Sequence, residues 1–169
     1  MEWTGARYAD MPTVEVATWI DASPDRVWRL VSDVELMPSL SQELQSVEWL
    51  DGASQSAVGA RFLGRSKHAA LGEWSTTSYV VEHDPGRVFA WAVVDPEQPS
   101  ATWRFTLRPE RAGTTLSQWV RLGPGRSGLS IAIDQMPDKE QKIVFVRLRE
   151  FEGSMTRTLA AIKTLAEQA

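Results

Sequence analysis

A reactive centre would need nucleophiles, ligands or acid–base pairs at workable spacing, and this chain supplies few. It has no cysteine, so thiolate nucleophiles, thiolate metal sites and disulfides are excluded. Its only histidines, His68 and His83, form no H-x-x-x-H or H-x-H pair that would place two ligands on one metal. One falls near a turn and the other at a strand end, where surface histidines are ordinary. Glu150 and Glu152 lie two apart on a helical stretch and do not face one site; they read as a solvated face. Arg61, Arg65 and Lys67 alternate with Phe62 and Ser66 and read as the outer side of a strand. A Ser-His-Asp triad stays open, but no G-x-S-x-G elbow is present. Gly123-Pro124-Gly125-Arg126-Ser127-Gly128 matches G-x-G-x-x-G, yet the dinucleotide fingerprint needs a parallel strand–helix–strand unit. Antiparallel strands precede it and none follows, so a flexible hinge or lid loop is expected there. Neither a metal nor a nucleotide cofactor is expected.

The aromatic residues say more. Eight Trp stand against two Tyr. Along successive segments of period two, Phe62 shares a face with Gly64 and Ser66, and Trp74 with Thr76, Ser78 and Val80. Phe89, Trp91 and Val93 share the next face, then Ala101, Trp103, Phe105 and Leu107, then Leu116, Gln118 and Val120. Trp119 and Arg121 fall on the opposite side. If the first set all point inward, the inner face is broad and aromatic, dotted with hydroxyls and one amide. That is the make-up of a pocket for an apolar ligand with a few polar groups. The same side chains would also serve as a filled core.

These residues need elements to position them. Residues 1–12 read as a loose N-terminal arm and 13–169 as one domain. Thr13–Asp21 alternates as a strand. Ser23-Pro24-Asp25 opens a helix: serine caps, proline suits the first helical position, and aspartate favours the positive end. Asp33 caps a second short helix that Pro38 stops. Six strands follow on short connections: 45–51, 60–67, 73–84, 88–94, 101–109 and 114–122. Asp84-Pro85-Gly86-Arg87 is a strong turn among them. Short connections imply an antiparallel meander. Residues 129–136 read as a helical turn. Asp138–Glu167 reads as one long helix with the stripe Val144, Leu148, Phe151, Met155, Leu159 and Ile162. Gly153 interrupts it and predicts a bend or a close neighbour. One long helix must cover a seven-stranded sheet, so the economical fold is a curved sheet wrapped around it, with a cavity between.

The remaining composition is that of a soluble globular chain, and cytoplasmic residence is expected. Charged residues are 24%, with 18 basic against 22 acidic, which argues against nucleic-acid binding. No apolar run is long enough for a membrane span, and no secretory leader is visible at the N-terminus.

Ala22-Ser23-Pro24-Asp25-Arg26-Val27-Trp28, Met37-Pro38, Arg61-Phe62-Leu63-Gly64, Gly72-Glu73-Trp74-Ser75-Thr76 and Pro85-Gly86-Arg87-Val88-Phe89-Ala90-Trp91 together resemble the Bet v 1-like or START-like (SRPBCC) superfamily. The resemblance is in particular to the bacterial polyketide cyclase/dehydrase and lipid-transport group, and it runs from about Val14 to Glu167. It implies an α+β helix-grip fold with an internal cavity, binding lipids, polyketides or other hydrophobic molecules. Aromatase/cyclases of the group use a buried Arg, and this chain has Thr76 and Ser78 on the corresponding strand. The expected function is therefore binding or carriage of a small hydrophobic or aromatic molecule. Trp28, Phe62, Trp74, Phe89, Trp91, Trp103 and Phe105 would form the wall. Thr76, Ser78 and Gln118 would orient polar atoms, and Met136, Val144, Leu148 and Met155 would supply the helical side. The alternative is a cyclase, aromatase or dehydratase acting in the same cavity. The partner is a small molecule, with no nucleic acid and no integral membrane contact; a homodimer is left open.

Overall fold

A computed structural model describes residues 1–168. Eight-residue β1 (Thr13–Ile20) is followed by α1 (Pro24–Val31), a 3-10 turn and the single-turn α2 (Met37–Leu40). Then come β2 (Leu44–Trp49), β3 (Arg61–His68), β4 (Gly72–Asp84), β5 (Val88–Val93), β6 (Ala101–Glu110) and β7 (Gly113–Leu122). The chain ends in α3 (Gly128–Gln135), a 3-10 turn at Pro137–Lys139 and α4 (Glu140–Glu167). The sheet order is β1-β7-β6-β5-β4-β3-β2, all antiparallel. β2 to β7 form the expected meander, and β1 returns to pair with β7. This is the helix-grip α+β fold. Among the described residues, no helix is long and apolar enough to cross a membrane.

Local chemistry explains the boundaries. The Ser23 side chain accepts from the Arg26 N–H and starts α1, which buries Val27 and Val31. Long α4 begins two residues later than Asp138, because Pro137 opens a 3-10 turn first. Its buried residues include Val144, Leu148, Met155, Leu159 and Ile162, the predicted stripe, with Phe151 half-buried. Lys163 on α4 donates to the Trp19 carbonyl and to Glu167, fixing the end of the helix against β1. The Lys163 hydrogen bond, with a second from the Asp21 N–H, holds the Glu167 carboxyl below the usual carboxylate range. The helix runs through Gly153; a Cβ there would meet only the Arg157 guanidinium, Nη1 at 3.4 Å and Nη2 at 4.0 Å. Nothing in the structure explains that glycine.

Two expectations change. The arm is docked: the Tyr8 hydroxyl donates to the Gly125 carbonyl at 2.6 Å, its N–H donates to Glu140, and Trp3 packs edge-on against Phe145. The Gly123–Gly128 loop is fastened too, because Gly123 and Gly125 N–H donate to the Ser100 and Pro99 carbonyls. A Cβ at Gly125 would collide with the Gln98 carbonyl, so the glycine serves close backbone approach and not a hinge.

Candidate functional site

Register places the aromatic residues as the alternation required. Phe62 pairs with Ser78, Gly64 with Thr76, Trp91 with Trp103, and Phe105 with Gln118, all on the face toward α4. A register shift after Val80 inserts one residue into β4. Beyond it His83 turns inward, edge-on to Trp28 at 5.3 Å, and bonds Ser56 Oγ at 3.0 Å. That corrects the surface placement of His83: a bulge is invisible to period-two reading.

The buried apolar residues fall into two clusters. Phe62, Phe89, Trp91 and Phe105 belong to the first, with Trp28 packed against it. Val144, Leu148 and Met155 belong to the second, with Phe151 against it. Trp103 and Val16 are half-buried and touch both clusters, so they mark the seam. Ser78 and Gln118 are buried on the same face, and Trp74 and Thr76 continue it along β4, half-buried and outside both clusters. Met136 is not brought in: it stands exposed at the end of α3.

Gln118 is the anomaly of this face. It is 7% exposed, flanked by Val16 on β1 and Phe105 on β6, and its Oε1 has no hydrogen-bond partner among the described residues. Buried polar groups are normally paired, and an orphan amide costs about 1–3 kcal/mol. Around it Trp103 stacks on Trp91 at 6.4 Å and meets Phe151 edge-on at 5.0 Å.

Sequence reasoning missed a charged clamp beside the seam. Arg147, 8% exposed on α4, lies 4.4 Å over the Phe151 ring and donates twice to Glu43, at 2.7 and 2.9 Å. His68, at the end of β3, contacts Glu150 at 2.5 Å and Glu43 at 4.0 Å. The signal for it was a charged residue inside the apolar stripe, since Arg147 is three after Val144 and four before Phe151. Glu43, His68 and Glu150 lie close enough to suggest a metal site. The histidine does not fit one. Its Nδ1 accepts from the Ala70 and Leu71 N–H groups, so the proton sits on Nε2 and is donated to Glu150. A metal on Nε2 would need that proton moved to Nδ1, where two N–H groups already point. The clamp ties the β3–β4 turn and the α2–β2 link to α4.

The match by sequence is decisive for kinship. Residues 11–167 match the family described as polyketide cyclase / dehydrase and lipid transport. The chain belongs to that family. Among solved structures, a Polyketide_cyc-like protein from Corynebacterium glutamicum is 29% identical, with a TM-score of 0.64 over 92% of this chain and 91% of that one. A Streptomyces aromatase/cyclase, Zhui, is 18% identical, with a TM-score of 0.65 over 92% and 93%. The di-domain ARO/CYC protein StfQ of the steffimycin biosynthetic pathway is 15% identical, with a TM-score of 0.70; the match covers 92% of this chain and 50% of StfQ. The last two likenesses are of fold. No curated protein matches by sequence. Membership in this polyketide cyclase and lipid-transport family implies a hydrophobic small-molecule ligand.

Proposed function

We propose that this polyketide cyclase/lipid-transport family member is a binding or carrier protein for a small hydrophobic or aromatic molecule that carries at least one hydroxyl or carbonyl. The molecule enters the seam between the sheet and α4. Trp74, Trp91, Trp103 and Phe151 contact its apolar body, and Thr76, Ser78 and Gln118 meet its polar atoms. One observation carries the reading: the Gln118 amide is buried between Val16 and Phe105 with its Oε1 unpartnered among the described residues. A bound hydroxyl would remove that penalty. Binding is favoured over cyclisation because the nearby charged groups are committed to one another. His68 donates to Glu150 and its second nitrogen is occupied, while Arg147 is held by Glu43. A general acid or base needs a free position near the substrate.

The test compares 2-naphthol with naphthalene by fluorescence titration in the native chain and in Gln118→Leu. Loss of one neutral hydrogen bond predicts affinity for naphthol about tenfold weaker in the variant, with naphthalene unchanged or tighter. Equal changes for both ligands would mean that Gln118 is an uncompensated core residue and not part of a binding site.

A further inference from the structure

The sheet has a second surface, facing away from α4, and the reading above makes no use of it. On it lies a hollow of about 410 Å³, walled by Met11, Pro96, Pro99 and Pro124 and by Arg104 and Arg121, with Ala92 and Thr102 beside them. That volume is in the range of small-molecule sites. The two arginines are not equivalent. Arg104 is neutralised by Glu82, with Nε to Oε2 at 2.8 Å. Arg121 makes no ion pair among the described residues, and its Nε is buried without a hydrogen-bond partner. Both guanidinium groups lie on Trp119, at 4.7 Å for Arg104 and 5.7 Å for Arg121, which limits how far either can swing into solvent. The acidic groups around the hollow are Glu82, already engaged, and Glu97 in its wall; on β1, Glu15 pairs in register with Trp119. None forms an ion pair with Arg121.

We infer that this outer hollow binds a small organic carboxylate with an apolar body, the carboxylate pairing with Arg121 and the body lying against the proline- and methionine-lined wall. An arginine held on an aromatic ring and without an ion-pair partner among the described residues is prepared for a planar, two-oxygen anion. Three prolines, a methionine and an alanine give a hydrated inorganic anion nothing to contact, whereas they cover an aryl or branched alkyl group. The site is independent of the seam on the inner face: its ligand is charged, and its residues lie on the opposite side of the sheet.

The experiment follows the Arg121 Nε–Hε resonance of uniformly 15N-labelled protein during titration with benzoate, benzamide and inorganic phosphate. For so small a ligand, saturation by benzoate with a Kd of about 1 mM is expected. Benzamide and phosphate should bind at least tenfold more weakly, the first for want of charge and the second for want of an apolar body. Benzoate-induced backbone shifts around the hollow should vanish in Arg121→Gln and weaken in Arg121→Lys, with both variants keeping the native amide spectrum elsewhere. Phosphate binding as tightly as benzoate would overturn the carboxylate assignment. Benzoate shifts that persist unchanged in Arg121→Lys and Arg121→Gln would overturn the site.

Discussion

Replacing Trp103 with alanine separates a ligand wall from a filled core. In a packed interior, Trp→Ala costs about 3–5 kcal/mol, because the transfer loss and the new void add. Trp103 is only half-buried, and its neighbours are known: Trp91 stacked at 6.4 Å, Phe151 edge-on at 5.0 Å, and Val120 across the strand pair. Each aromatic pair contributes about 0.5–1.5 kcal/mol beyond area burial. Since one side of the indole already lacks full contact, the expected cost is about 2–3 kcal/mol, below the filled-core range. Urea unfolding followed by circular dichroism measures it. The same proteins are then titrated with N-phenyl-1-naphthylamine, an uncharged fluorophore that cannot form an ion pair with the outer arginines. Trp103→Ala should weaken its binding at least tenfold, about 1.4 kcal/mol of lost contact. Trp119→Ala is the control. Its ring lies on the outer face beneath Arg104 and Arg121, so it should lose about 1–2 kcal/mol of cation–π and packing energy while leaving probe affinity unchanged. A cost of 4 kcal/mol or more for Trp103→Ala with unaltered probe binding, or equal loss of binding in both variants, would refute the reasoning.

Two further outcomes test the packing around the seam. Glu43→Gln leaves Arg147 buried beside a neutral amide, and because Glu43 is itself 27% exposed the loss should be about 2 kcal/mol, not the 3–5 of a fully buried pair; the double change Glu43→Leu with Arg147→Met should recover more than half of it, measured by the same unfolding assay. Gly153→Ala should raise stability by about 1 kcal/mol, since the helix gains propensity and the added Cβ meets only the movable end of Arg157, and a melting temperature that falls would show a role for that glycine which its surroundings do not reveal.

The fold was legible because its signals are local. Alternation of apolar and polar residues assigned the inner faces of β1, β3, β5, β6 and β7 and of β4 as far as Val80, including the placement of Trp119 and Arg121 outside. Strand ends were read to within about a residue or two, because turns such as Asp84–Arg87 announce themselves. The site was legible only as a face. Gln118 was visible as an inward amide, but that it would lack a partner depends on what lies across from it, and no pattern along the chain records that. The Arg147–Glu43 and His68–Glu150 contacts join residues 104 and 82 positions apart, so only the folded chain shows them. His83 was misplaced because one inserted residue in β4 reverses the side to which later side chains point. Tyr8 looked like part of an untethered arm because its hydroxyl's carbonyl partners, on Ser100 and Gly125, have no residue-type signature and its N–H partner, Glu140, lies 132 positions away.

The central claim is a location, and isotope-filtered NOE spectroscopy on the complex with N-phenyl-1-naphthylamine tests it directly. Contacts from the probe to the Val16, Val120 and Met155 methyl groups and to the Trp103 indole are predicted, since these residues border the seam on the inner face. Contacts instead to the methyl groups of Met11 and Val81, which line the outer hollow, would place the hydrophobic ligand on the wrong side of the sheet and contradict the account.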